Sequence, residues 1–196
     1  MTRQAEITRT TGETDVQVTL SLDGTGAGDR ETGVGFLDHM LDLLARHGRF
    51  DLGVAARGDL DTGAHHTVED VAICLGQALD HALGDRGGIT RYGQATVPMD
   101  EARAACALDI SGRGLCVFEA SLPPGAIGNF DHELAEEFFR ALAGNAKITL
   151  HLTVERGTNT HHVIEAAFKA LARSLRAAVA LDATETGVPS TKGTLV

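Results

Sequence analysis

The chain has no tryptophan and a single tyrosine among its 196 residues, so it offers almost nothing on which nucleotide bases would stack. It is also short of cations: 17 Lys and Arg against 27 Asp and Glu give a net charge of −10. That balance argues against nucleic acid or an anionic membrane surface as a main partner. No apolar run reaches the roughly 20 residues of a membrane span. Met1 to Thr10 lack the apolar core of a secretion signal. Cys74, Cys106 and Cys116 are odd in number and show no Cys-x-x-Cys spacing. They read as reduced, buried thiols, with Cys74 on the apolar face of a helix, and this predicts a cytoplasmic protein. What remains is a chain with 43% apolar residues, long enough for one sizeable domain or two small intertwined halves.

The most informative pattern is a repeated one. His-His-x-x-Glu occurs as His65-His66-Thr67-Val68-Glu69 and again as His161-His162-Val163-Ile164-Glu165. Each copy opens a segment of helical periodicity. Residues three and four apart share a helix face, so each Glu can stand beside its histidines. Imidazole and carboxylate together suit borderline divalent metals. Adjacent histidines diverge by about 100° around a helix, so one pair is poorly placed to chelate a single ion. Four histidines and two glutamates therefore fit two ions better than one. A lone copy would read equally well as histidines on a solvated helix start; two copies in matching contexts favour a duplicated metal site.

The contexts do match. Val16, Val18, Leu20 and Leu22 alternate with polar residues as in a half-buried strand. Ile7 and its neighbours precede them, across a turn at Thr11-Gly12-Glu13-Thr14. A Gly-rich loop from Gly24 to Gly35 leads to a helix over about Phe36–His47. A strand through Phe50, Leu52, Val54 and Ala56 follows, then the loop Gly58–Ala64. The long helix from His65 carries the stripe Val68, Ala72, Leu75, Leu79 and Leu83. The second half repeats the order. Strands are expected over Ile89–Val97, Ala102–Ile110 and Leu115–Leu122, and Pro123-Pro124-Gly125 breaks the chain. Asp131 is placed as the cap of a helix running to Ala143. A strand through Ile148, Leu150, Leu152 and Val154 and a helix over Thr160–Leu181 complete the half. Placing Leu52 on Leu150 also places Phe50 on Ile148 and His39 on Glu137. Two fewer residues in the second loop then bring His65 onto His161. His39 and Glu137 thus stand as the further ligand of each set. His47 sits at a helix end, where the dipole alone favours it, and His151 on the polar face of a strand. These two rank below the others, and His81 and His132 read as surface residues.

In order along the chain, these motifs resemble the imidazoleglycerol-phosphate dehydratase family. The likeness rests on Asp38-His39-Met40-Leu41, Gly58-Asp59-Leu60, His65 to Asp70, Pro98-Met99-Asp100-Glu101, Asp109-Ile110-Ser111-Gly112-Arg113, Thr149-Leu150-His151, His161-His162 with Glu165, and Pro189-Ser190-Thr191-Lys192-Gly193. The resemblance implies an α+β fold with mixed sheets backed by helices, of the ribosomal-protein-S5-domain-2-like kind. Its parts would be an N-terminal half-domain over 1–86, a C-terminal one over 87–181 and a tail over 182–196 that joins the substrate phosphate site. It implies two manganese ions (Mn2+) per active site, held by His39, His65, His66, Glu69, Glu137, His161, His162 and Glu165. It also implies trimers and a closed symmetric shell of roughly 24 identical subunits, with active sites between them. Several relatives carry His where this chain has Glu137, a change toward a harder ligand.

The family reaction removes water from imidazole glycerol phosphate and leaves imidazole acetol phosphate. The proton lost is carbon-bound with no carbonyl beside it, and metal on the substrate imidazole is the expected remedy. Glu13 and Glu165 are the candidates for base and acid. Arg91, Arg113, Ser190 and Lys192 match the phosphate contacts, and Asp70 and Asp100 are read as carboxylates that orient ligand histidines. The tail is expected to be loose until a phosphate orders it. Two rival readings keep the metal ligands. A dinuclear hydrolase would not need the C-terminal Ser-x-Lys-Gly, and a metal-binding assembly protein would need neither Glu13 nor the cations.

Overall fold

A computed structural model describes residues 2–195. The N-terminal half opens with the hairpin β1 (Gln4–Thr10) and β2 (Thr14–Ser21). In β2, Val16, Val18 and Leu20 are buried while Asp15, Gln17 and Thr19 are exposed. Next come a short β3 (Arg30–Glu31), α1 (Gly35–Gly48), β4 (Asp51–Gly58), a single 3-10 turn at Leu60–Thr62 and α2 (His65–Leu83). The C-terminal half holds β5 (Tyr92–Met99), β6 (Ala102–Asp109), β7 (Leu115–Glu119), a small ribbon of β8 (Ala126–Ile127) and β9 (Phe130–Asp131), α3 (Leu134–Ala146), β10 (Thr149–Arg156) and α4 (Thr160–Ala178).

Both halves build one topology. The first sheet runs β1-β2-β4-β3 and the second β5-β6-β10-β7. In each, the outermost partner of the last strand is parallel to it and the remaining pairs are antiparallel. The helix ends repeat too. α1 stops at Arg49 (φ 58°) and α3 at Lys147 (φ 54°), each left-handed and each donating its N–H to a carbonyl four residues back. A non-glycine residue in that region costs roughly 1–2 kcal/mol, so its recurrence at equivalent places marks a shared turn.

The halves do not pack separately. α1 lies against α4 and α2 against α3, and one buried cluster draws from all four helices and from β2, β4, β6 and β10. Phe138, Phe139 and Phe168 meet at its centre with ring centroids 4.8–5.9 Å apart. The α2–α3 crossing is close because Gly76 has no side chain; a Cβ there would lie 2.7 Å from the Leu142 carbonyl oxygen. Buried Cys74 and Cys106 have thiols pushed up by burial to about 11 and about 12, so neither forms thiolate at neutral pH.

Several boundaries differ from expectation. β3 lies inside the stretch read as a Gly-rich loop. Asp131 belongs to β9 and does not cap α3, whose N-cap is Glu133 without a side-chain bond. Phe130, fully buried, pulls that segment into the core and displaces the helix start by two residues. The last helix ends at Ala178, before Leu181. The tail is not a free end. Asp182 N–H donates to the Gly88 carbonyl and Gly88 N–H to that of Gly187. Arg91 Nη1 donates to the Pro189 carbonyl at 2.8 Å, and buried Arg86 donates to that of Leu195. Ser190 to Thr194 span the gap between those two anchors.

Candidate metal and phosphate sites

Asn159 begins the first site. Its side chain accepts the His161 N–H at 3.0 Å and caps α4. His161 and Glu165, one turn apart, then face the same way, and Nε2 of His161 lies 3.1 Å from Oε2 of Glu165. The packing of α1 on α4 brings in His39, whose Nε2 is 3.4 Å from that same oxygen. All three donor atoms lie within 4.8 Å of one another. Ligands at about 2.1 Å from one ion, set at right angles, are roughly 3 Å apart, so this spacing suits a shared cation. Phe36 stands edge-on to His161 with centroids 5.0 Å apart and walls one side. Glu165 is buried, and burial alone would push its carboxyl up. Lys169 Nζ at 2.6 Å and the nearby His39 outweigh this and hold it below the ordinary value. The result is an ionised carboxylate with one oxygen fixed by Lys169 and the other between two imidazoles. Two imidazole nitrogens and a carboxylate are a fitting donor set for a borderline divalent ion.

His66 and His162 point elsewhere. Their rings stand at 85° and 82° to those of His65 and His161, with centroids 6.1 Å apart in each pair, as adjacent helical residues should. Each Nδ1 meets a carboxylate. His66 Nδ1 is 3.1 and 3.2 Å from the Asp59 oxygens and 3.7 Å from Glu13 Oε2. His162 Nδ1 is 2.7 Å from Glu101 Oε2. These hydrogen bonds raise both histidines above their ordinary pKa, and the bond from His162 together with the Thr158 and Asn159 N–H groups holds Glu101 well below its own. Asp100, expected to orient a histidine, lies instead 3.9 Å from the opposite nitrogen, Nε2 of His162. Asp70 does not orient one either. It accepts from Arg9 Nε at 2.8 Å and from the Thr14 hydroxyl, and so clamps the β1–β2 turn that carries Glu13 onto α2.

His65 is exposed at the start of α2, and Glu69 and Glu137 are half-buried on α2 and α3. Among the described residues, the only three-donor group within 4.8 Å is that of His39, His161 and Glu165. One chain thus gathers one set, drawn from both halves.

The four residues assigned to phosphate do come together. Arg91, Arg113, Ser190 and Lys192 all line one cavity of about 760 Å³. Arg91 is held by Asp109 through two bonds of 2.7 and 3.0 Å. The Ser190 hydroxyl accepts the Lys192 N–H at 3.2 Å and shapes the turn. This cavity and the histidines occupy opposite ends of one sheet. Arg91 precedes β5, while the turn after β5 carries Glu101 and His162 binds there. The eight residues of β5 span roughly 23 Å at the usual rise. A small phosphate ester cannot reach both ends in one chain.

Sequence reasoning passed over the roles of Asp59, Glu101, Lys169 and Arg86. Asp59 and Glu101 lie within quoted motifs, but the partner of each is seven or more residues away. Lys169 carried a local signal, standing four residues after Glu165 on the same helix face.

The family described as Imidazoleglycerol-phosphate dehydratase matches residues 32–175. An imidazoleglycerol-phosphate dehydratase from a Jannaschia species is 57% identical over 194 residues, covering 98% of this chain and all of the relative. One from Symbiobacterium thermophilum is 60% identical over 193 residues, 98% of this chain and 93% of the relative. Among solved structures, the Staphylococcus aureus enzyme superposes with a TM-score of 0.83 at 42% identity, covering 91% of this chain and 99% of that one. The Pyrococcus furiosus enzyme also gives 0.83, at 36% identity, with 96% and 100% covered.

Proposed function

The chain belongs to the imidazoleglycerol-phosphate dehydratase family, and from that premise we propose how its residues divide the work. It catalyses the dehydration of imidazole glycerol phosphate in histidine biosynthesis, a lyase reaction. The observation that carries our assignment is the convergence of His39 Nε2, His161 Nε2 and Glu165 Oε2 from two helices. We assign these three to one divalent ion. His65, His66, Glu69, Glu137 and His162 complete two ion sites where subunits meet, with manganese as the resident metal. The separation along β5 supports this sharing, since the phosphate residues of one chain need the histidines of another. Trimers and a closed shell of roughly 24 subunits, in the cytoplasm, follow from the same reading, with chain segments 1–86, 87–181 and 182–196 in the roles given above. Among the described residues no helix is long and apolar enough to cross a membrane.

A bound divalent ion supplies Lewis-acid polarisation of the substrate imidazole. The rest falls to side chains. The reaction removes a carbon-bound proton and the hydroxyl of the neighbouring carbon, so it needs a base for one and a proton for the other. Glu165 is committed to Lys169 and two histidines, which suits a ligand. Glu13 is 58% exposed, with His66 Nδ1 3.7 Å from its Oε2, which suits a carboxylate that must reach a substrate proton. Arg113 and Lys192 neutralise the phosphate, while Arg91 ties the strap that bears Ser190 and Lys192 to β5. The test compares metal-loaded and metal-stripped protein on imidazole glycerol phosphate and on simple phosphate esters. Turnover of the first only, and only with metal, is expected; hydrolysis of the esters would overturn the assignment.

A further inference from the structure

The β5–β6 connection is a two-residue turn, Asp100-Glu101, in which Asp100 adopts φ 46°. A non-glycine residue pays for that conformation, so something must hold the turn in place. The bonds of Glu101 do so. Oε1 accepts the backbone N–H of Thr158 at 3.0 Å and of Asn159 at 2.8 Å, in the loop that leads into α4. Oε2 meets Nδ1 of His162 at 2.7 Å. An ionised carboxylate only accepts, so Nδ1 carries a proton and, in the neutral ring, Nε2 presents its lone pair. That is the tautomer an ion or substrate needs, and carboxylate partners of ligand histidines act in this way generally.

We propose that Glu101 is a positioning residue for the dehydratase site: it fixes the tautomer and orientation of His162 and, through the same carboxylate, the start of α4. The inference rests on the assignment of His162 as a metal ligand. Asp59 stands at His66 as its counterpart, yet it comes from the β4–α2 loop and not from a hairpin turn. The two histidines are therefore hydrogen-bonded from non-equivalent loops, while Glu13, in the hairpin turn that matches the one bearing Glu101, stands 3.7 Å from His66 Nδ1.

The test is titration of the metal-stripped full chain with manganese(II), together with thermal melts of the stripped protein. Glu101→Gln retains an oxygen for Thr158 and Asn159 but turns an NH2 toward His162, which forces the proton onto Nε2. Its affinity for the ion should fall about 10–100-fold with little change in the melt. Glu101→Ala should lose the same affinity and also melt lower. His162→Ala should lose affinity, and adding Glu101→Gln to it should cost nothing more. Wild-type affinity in Glu101→Gln, beside a loss in His162→Ala, would overturn the positioning role and reduce Glu101 to a loop clamp. Unchanged affinity in His162→Ala would instead remove His162 as a ligand and the inference with it, while leaving the His39, His161 and Glu165 group to be judged by its own variants.

Discussion

His39 and Glu165 come from opposite halves of the chain, and Nε2 of one lies 3.4 Å from Oε2 of the other. The approach exists because α1 packs on α4, so an ion held there ties the two halves together. Metal that binds only the folded chain stabilises it by mass action, by about 2.7 kcal/mol when free ion exceeds the dissociation constant a hundredfold. Calorimetry should therefore show a higher melting temperature with manganese than with chelator. His39→Ala and His161→Ala should bind less metal and lose most of that increment. Equal melting temperatures with and without metal would mean that the ion does not bridge the halves.

The cation cavity separates two kinds of arginine. Among the described residues, the Arg113 guanidinium donates only to the neighbouring Ser111 carbonyl, at 3.4 Å, which leaves its charge to meet a phosphate. Arg91 is committed to Asp109 and Pro189. Arg113→Ala and Lys192→Ala should raise the Michaelis constant at least about tenfold, as loss of a charge-assisted contact worth 1.5–3 kcal/mol does, with melting temperature unchanged. Arg91→Ala should raise it too, and should also lower the melting temperature by leaving Asp109 unpaired. Parallel steady-state kinetics and melts check the split; a stability loss in Lys192→Ala would argue that the tail is chiefly a structural strap.

If the phosphate residues and the histidines that share one site lie on different chains, inactive variants should rescue each other. Lys192→Ala subunits retain good histidines, and His162→Ala subunits retain a good cavity. Mixed, dissociated and reassembled, they should regain a substantial fraction of wild-type turnover. Assemblies of either variant alone should not. Failure of the mixture, with co-assembly verified by mass, would place both halves of the site in one chain.

Local chemistry was what the sequence displayed best. The two His-His-x-x-Glu segments lie on helices as their spacing required, and Arg91, Arg113, Ser190 and Lys192, scattered over a hundred positions, do line one cavity. The equivalence of His39 and Glu137 reappears in the repeated left-handed helix ends at Arg49 and Lys147. What stayed hidden depends on packing between distant segments. That His39 joins His161 and not its own half's His65 follows from the crossed packing of α1 on α4. The hydrogen bond from His162 goes to Glu101 and not Asp100 because the turn geometry aims one carboxylate at Nδ1 and leaves the other beside Nε2. Asp131 had the right chemistry for a cap, but burial of Phe130 governs that segment.

Glu13 and Glu165 were equal candidates for the base, and their surroundings now set them apart. Glu165 is 7% exposed, with Lys169 on one oxygen and two imidazoles on the other. Taking a proton would break an ion pair and dislodge whatever the two histidines hold. Glu13 is 58% exposed and is free to move at its tip. Its backbone is nonetheless fixed: the Thr11 hydroxyl accepts the Glu13 N–H at 3.1 Å, and the next residue, Thr14, donates to buried Asp70. A mobile tip on a fixed turn is what proton transfer to a bound substrate requires. Glu13→Gln should therefore keep normal metal content and lose at least about two orders of magnitude in turnover, the usual scale for a lost general base. Glu165→Gln should lose metal, and its activity should recover in part as manganese is raised. Asp70→Asn, which leaves Glu13 in place but loosens its turn, should fall between wild type and Glu13→Gln in turnover. Metal analysis beside initial rates separates the cases, and a Glu13→Gln enzyme of near-normal turnover would return the base to Glu165.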